Sequence, residues 1–441
     1  MGPVEITLVA ALVVAFAAVS MRIEHWPLTM PMVFVAAGAA TAAFDAIEID
    51  AEIGSIALLA ELTLAVILFS DAVRIDFRRL RRHLGLPVRL LGIGLPLSIA
   101  LGALVNALLF PELPFAQVAL LAAILAPTDA ALGSAVVEDT VVPARDRLAL
   151  NVESGVNDGL VVPVVAIMTA LVIDENRSTS GWIGFVARQI GWGVALGLVV
   201  GGVGITVLRA AHHRGWSDGR YEQLATFVLP VIALFGAEAL TGNSFIAAFV
   251  AGLAFGSFGN DAKHTPGSAS EPDDDAHASY FGGFTEDAAQ LLALGAFFVF
   301  GNVLLGQAVD DVSAGVVVCA IVTLTLGRML PVWIAMIGSG TRWPTRLFIG
   351  WFGPRGLASI IFGLLLLEDF DEVAGGGDDL FGVIGVTVTA SVVLHGATAS
   401  WGASRYGRWA EALEASDDER SDMNVPEVAE MIPRSRFSLR R

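Results

Sequence analysis

Between Leu148 and Ile173 the chain is largely apolar, and set into that stretch are Glu153, Ser154, Asn157 and Asp158. An ionisable group at bilayer depth costs at least ~2.5 kcal/mol even on the lenient insertion scale, so each needs a partner, a polar cavity or a task. On a helix, Ser154 and Asp158 stack one turn apart on one face, with Glu153 and Asn157 beside them. That face offers a hydroxyl and a carboxylate together, the oxygen donors that suit a hard monovalent cation. Desolvation penalises the charged form of a carboxylate, so a proton and a cation can compete for one site at Asp158. This is exchange chemistry in its simplest form: Asp158 is the expected transporting carboxylate, with the Ser154 hydroxyl and a free carbonyl at Thr128 as further metal ligands.

Other polar groups inside apolar stretches are expected to support that site. Glu153 and Arg355 read as mutual partners in a buried ion pair, since either alone would be an uncompensated charge. Asn157 and Asp129 are expected to satisfy exposed ends of interrupted helices. Asp71, next to Ser70, could reach the cation through water. Glu61, Glu238, Arg328 and His395 read as satisfied interior or snorkelling residues. The sequence has no GxxxxGK[ST] loop, no zinc-spaced His/Cys cluster and no GxSxG elbow. ATP-driven and hydrolytic machinery is therefore not expected, nor any cofactor.

The elements that must position these groups follow from composition. Of 441 residues, 55% are hydrophobic and only 16% charged, the balance of an all-α polytopic membrane protein rather than a soluble domain. A spanning helix needs roughly 20 apolar residues. Thirteen candidate segments emerge: 3–21, 28–44, 54–73, 86–109, 115–137, 148–173, 182–208, 222–240, 243–259, 287–306, 312–337, 344–367 and 380–401. The first has no basic flank and no small-residue cleavage site before Arg22, so it is expected to be a true helix. The single Cys319 excludes an intrachain disulfide.

Two segments are interrupted at their middles, the fifth by Ala126-Pro127-Thr128-Asp129 and the twelfth by Gly353-Pro354-Arg355-Gly356. With 182–208 as a connector, the remainder divides into a first repeat (about 3–173) and a second (about 222–401), and both interruptions fall in the fifth segment of six. An odd connector inverts the second half. Gly/Pro-interrupted segments at matching positions of inverted repeats mark a midplane substrate site. Proline frees backbone carbonyls there, tolerable at membrane depth only where protein or a polar cavity covers them.

Arginine placement predicts orientation. Arg74, Arg78, Arg79, Arg81 and Arg82 share loop parity with Arg145, Arg147, Arg209, Arg214, Arg342, Arg346, Arg405 and Arg408, while the opposite loops are acidic. The positive-inside rule then places the N-terminus outside and the C-terminus in the cytoplasm. Residues 260–286 are expected to form a polar cytoplasmic loop, and 402–441 a disordered cytoplasmic tail. A net charge of −18, with Lys263 the sole lysine, argues against a nucleic-acid partner.

Taken together, the motifs Leu68-Phe69-Ser70-Asp71, Ala126-Pro127-Thr128-Asp129, Glu153-Ser154-Gly155-Val156-Asn157-Asp158-Gly159, Phe245 to Leu253 and Gly353-Pro354-Arg355-Gly356 make the chain resemble the electroneutral branch of the sodium/proton antiporters, the NhaP-type proteins and sodium/hydrogen exchangers. The resemblance covers nearly all of 1–405. It implies thirteen helices, a homodimer in the cell membrane, a six-helix core moving against a dimerisation domain, and exchange of one cation for one proton. It also implies that Asp158 is the essential aspartate, and that Asn157 marks the electroneutral branch. Ser154 and Thr128 would be ligands, Asp129 the acid of the unwound helix, Glu153 with Arg355 the ion pair, and Asp71 the acid of the third helix. The expected activity is exchange of Na+ or Li+ for H+, with a K+/H+ antiporter as the nearest alternative. A cation channel, or an intramembrane aspartyl hydrolase built on Asp129 and Asp158, are alternatives of other classes.

Overall fold

Long runs of Leu, Val, Ala and Ile can bury their backbone polar groups in a bilayer only as helix, and every ordered element described is helical. The computed structural model describes residues 3–23, 28–44, 53–75, 85–129, 132–137, 139–173, 178–261, 274–306, 312–371 and 377–415. The elements are α1 (Pro3–Ile23), α2 (Met30–Ala43), α3 (Ile53–Val73), α4 (Gly85–Leu109), α5 (Phe115–Ile124), α6 (Ser134–Val137), α7 (Ala144–Ile173) and α8 (Thr179–His213). There follow α9 (Gly219–Ala239), α10 (Ser244–Asp261), α11 (Asp274–Val299, extended by a π turn Phe300–Leu304), α12 (Ala314–Leu324), α13 (Leu326–Ala335), α14 (Trp343–Trp351), α15 (Leu357–Asp371) and α16 (Gly377–Ala415). Among the described residues, eight helices are long and apolar enough to cross a membrane and five shorter apolar helices accompany them. Every one of the thirteen expected segments holds a helix. This is an all-α, multi-pass membrane protein.

The chain divides into two compact units. One takes the described residues up to Ala60, from Gly85 to Asn157, and from Ala293 to Ala415; the other takes Glu61 to Ile75 and Asp158 to Leu292. In the first unit, α2 lies directly on the π turn of α11. A Cβ on Gly38 would strike the Phe298 carbonyl, and one on Gly301 the Val35 carbonyl, so only glycine permits this approach. Asn302 Nδ2 donates to Thr41 Oγ1 at 3.0 Å across the same contact. The core of this unit gathers Leu90, Val142, Leu150, Met336, Ile349 and Phe352.

In the second unit, α8, α9 and α10 pack together over Ala233, Leu234, Ala247, Ala248 and Ala251. Gly193, Gly197 and Gly201, four residues apart on α8, face Asn243, Ala247 and Ala251. Such a small-residue ridge brings helix backbones close where no hydrophobic effect drives association. Gly252 and Gly256 of α10 receive the end of α3 in the same manner, against Phe69 and Val73.

Three features depart from expectation. The eleventh segment is not one helix: it breaks at Thr325 (φ −104°, ψ −89°) into α12 and α13. The polar loop expected at 260–286 is shorter, because α10 runs to Asp261 and α11 starts at Asp274, leaving 262–273 outside the described residues. The tail expected from 402 begins as helix, α16 continuing to Ala415, and 416–441 lie outside the described residues. In the last two cases hydropathy marks where an apolar stretch ends, and helical hydrogen bonding continues past that point.

Candidate functional site

The helix breaks in the first unit complete one another. The fifth span stops at Ile124 and the twelfth at Trp351, and each resumes after several residues of irregular backbone containing Pro127 or Pro354. Broken ends leave backbone groups without intrahelical partners. Here each break supplies what the other lacks. Asp129 N donates to the Pro354 carbonyl at 2.8 Å. The Asp129 carboxylate accepts from Leu357 N at 2.7 Å, at the start of α15, and from Leu132 N at 3.4 Å. Ser359 Oγ donates to the Ile124 carbonyl at 2.6 Å, at the end of α5. Gly356 must be glycine, since a Cβ would run into the Asp129 carboxylate and Leu132.

Arg355 is 1% exposed, and its guanidinium serves the same crossing. Nη1 donates to the Ala126 carbonyl and, at 3.1 Å, to that of Pro127. A cation is thus placed against the carbonyl end of α5, where the helix dipole favours positive charge. Beside it lies a cavity of about 10 Å³ lined in part by Ser98, Asn106 and Thr323, room for about one water molecule.

The expected Glu153–Arg355 pair is corrected. Glu153 binds Arg328, with Nη1 to Oε1 at 2.5 Å and Nη2 to Oε2 at 2.9 Å. Both are buried, at 3% and 4% exposure. This is the bidentate geometry in which guanidinium and carboxylate bind most strongly. The break at Thr325 brings it about, since Arg328 lies in the first turn of α13 rather than mid-helix. Gly353 leaves room for it: a Cβ there would collide with the guanidinium. The sequence signal is a lone arginine in an apolar run, a pattern that by itself fits a satisfied interior or snorkelling residue.

Ser154 and Asn157 of α7 and Thr128 of the first break form one buried cluster. Thr128 Oγ1 lies 3.0 Å from Ser154 Oγ and accepts from Asn157 Nδ2 at 2.7 Å. Asn157 therefore orients the threonine hydroxyl at the first break, and that hydroxyl faces the serine. The side chain of Thr128 takes part, where only its carbonyl was anticipated. Asp158 follows on the same helix, one turn beyond Ser154 and 7% exposed. Asp71 lies half-buried in the last turn of α3, beside the buried Ser70.

Residues 8–404 match the family described as sodium/hydrogen exchanger, transmembrane. The chain belongs to this family. Its relatives among curated exchangers include the K(+)/H(+) antiporter NhaP2 of Shewanella baltica, 26% identical over 352 residues that cover 77% of this chain and 56% of that one. Another is the Na(+)/H(+) antiporter 2 of Zygosaccharomyces rouxii, 28% identical over 269 residues, covering 57% and 31%. The chain thus spans about half the length of NhaP2 and less of the yeast protein. The fold is that of the sodium proton antiporter MjNhaP1 from Methanocaldococcus jannaschii at pH 8, with a TM-score of 0.75 at 19% identity, covering 92% of this chain and 99% of that chain. Family and fold are those of transporters rather than enzymes.

Proposed function

We propose that this chain is a secondary antiporter exchanging Na+ or Li+ for H+, one for one, by alternating access, with Asp158 binding either ion but never both. What supports the reading is the buried hydroxyl pair at α7: Thr128 Oγ1 and Ser154 Oγ lie 3.0 Å apart, and Asp158 follows Ser154 by one helical turn, so the helix carries oxygen donors of the kind a hard cation needs. Protonated Asp158 and cation-bound Asp158 are both neutral. Loading metal from one side releases one proton to that side, and the reverse step returns one.

The structural Glu153–Arg328 pair, the Asn157 amide and the Arg355 guanidinium hold that geometry. Asp71, with Ser70 beside it, would approach the cation through water. Placement in the cell membrane, an external N-terminus, a cytoplasmic C-terminus and a homodimeric assembly belong to the same proposal, supported by the arginine distribution and by the family. A K+/H+ exchange is the second reading, favoured by the similarity to a relative named as a K(+)/H(+) antiporter. Both are tested in proteoliposomes carrying a pH gradient and a pH-sensitive dye, challenged in turn with Na+, Li+ and K+. Dissipation by Na+ and Li+ supports the first reading, by K+ the second. A gradient untouched by all three overturns both.

A further inference from the structure

His395 is a buried titratable side chain that the exchange chemistry above does not use. It lies on α16 at 2% exposure, one turn after Ser391, which is fully buried. Its Nδ1 is 3.2 Å from Ser391 Oγ and 3.0 Å from the Ser391 carbonyl. Ser391 Oγ in turn accepts from the backbone N–H of Arg355 at 2.7 Å. The imidazole packs on Trp351, ring centroids 5.0 Å apart, and the Trp351 indole is anchored by donating to Thr398 Oγ1 at 3.0 Å. Trp351 ends α14, and Arg355 precedes α15. One imidazole therefore touches both sides of the second helix break, directly at Trp351 and through Ser391 at Arg355.

We propose that His395 is a positioning residue for transport, fixing the second break through the relay His395–Ser391–Arg355. The inference rests on the exchange reading above. Ser391 Oγ spends a lone pair on the Arg355 N–H and has a single hydrogen to direct elsewhere. The Ser391 carbonyl, 3.0 Å from Nδ1, can only accept, so the ring carries its proton on Nδ1 and donates it to the two Ser391 oxygens; the hydroxyl oxygen is then held between the Nδ1–H and the Arg355 N–H. With the proton on Nε2 alone, two acceptors would face each other across that contact and the relay would open. A doubly protonated ring keeps the Nδ1 donor but adds a positive charge beside two guanidinium groups. The charged groups bearing on the ring are the guanidinium groups of Arg355 and Arg328. The relay therefore sets the backbone of Arg355, whose guanidinium holds the Ala126 and Pro127 carbonyls immediately before Thr128.

The test compares full-length wild type, His395→Phe, Ser391→Ala, the double variant and His395→Gln in proteoliposomes, with folding checked by thermal unfolding in detergent. His395→Phe and Ser391→Ala are expected to lower cation-dependent proton flux about tenfold each, and the double variant no further. His395→Gln keeps a donor for Ser391 without a titrating ring. It should retain more than half the flux and hold it to lower pH than wild type does. If His395→Phe does not fold, Ser391→Ala and His395→Gln decide. Wild-type flux in Ser391→Ala, multiplicative losses in the double variant, or a wild-type pH profile in His395→Gln would each overturn the relay. Absence of cation-dependent flux from wild type itself would instead remove the exchange reading on which the relay rests.

Discussion

At the scale of single residues, the site separates charges that hold structure from the charge proposed to bind substrate. Asp158→Asn removes the exchangeable proton while preserving shape. Cation-dependent proton movement in proteoliposomes should disappear while the thermal unfolding midpoint stays near that of wild type, and retained exchange would refute the assignment of Asp158. Glu153 and Arg328 should behave oppositely. Removing one member of a buried pair leaves an uncompensated charge and typically costs ~3–5 kcal/mol, so Glu153→Gln and Arg328→Met should each unfold at markedly lower temperature. The Glu153→Gln, Arg328→Met double variant should recover much of that loss. A cycle between Glu153 and Arg355 should show the weaker coupling, and the reverse order would restore the pairing read from sequence. That mispairing has a physical origin. Sequence shows that a buried carboxylate needs a cation, but offers two arginines in apolar runs, and which one reaches Glu153 depends on how two broken spans pack.

The helical elements were legible in proportion to how sharply backbone chemistry marks them. All thirteen spans could be read because sustained apolar sequence has one solution in a bilayer. The breaks at Pro127 and Pro354 were legible because proline removes a backbone donor. The break at Thr325 was not: no proline or glycine stands at that residue, and Pro331 lies within α13. The reciprocal capping of the two breaks was equally beyond the sequence, since Asp129 and Leu357 N meet only in three dimensions. That contact can be tested through glycine. Gly356→Ala places a methyl group against the Asp129 carboxylate and Leu132, and overpacking of this kind costs typically ~1–3 kcal/mol. Gly184→Ala on α8 meets nothing within 4 Å and should be neutral or stabilising by roughly 0.5–1 kcal/mol, the helix-propensity gain. Thermal unfolding of both variants should move in opposite directions; a Gly356→Ala as stable as wild type would mean that the crossing is looser than described.

For the molecule as a whole, the decisive property is the charge carried across the membrane in each half-cycle. If Asp158 crosses either as a neutral acid or as a neutral carboxylate–cation pair, and Glu153–Arg328 and Asn157 add nothing that changes between the two, each complete cycle moves one positive charge out and one in. Were a second carboxylate to titrate with it, one net charge would cross, and the membrane potential would contribute about 2.3 kcal/mol per elementary charge per 100 mV. On the proposed reading Asn157, an amide bound to Thr128, adds no second titrating acid next to Asp158. The expected outcome is that Na+ and H+ balance when their concentration ratios across the vesicle are equal, at any clamped voltage. Measuring the pH gradient that nulls net flux at a fixed Na+ ratio, with the potential set at zero and then at 100 mV, distinguishes the cases. A null point that stays fixed supports one-for-one exchange. A shift of roughly 0.8 pH unit, one net charge at 100 mV shared over two protons, would require a second titrating carboxylate, with Asp129 and Asp71 as the groups to substitute first.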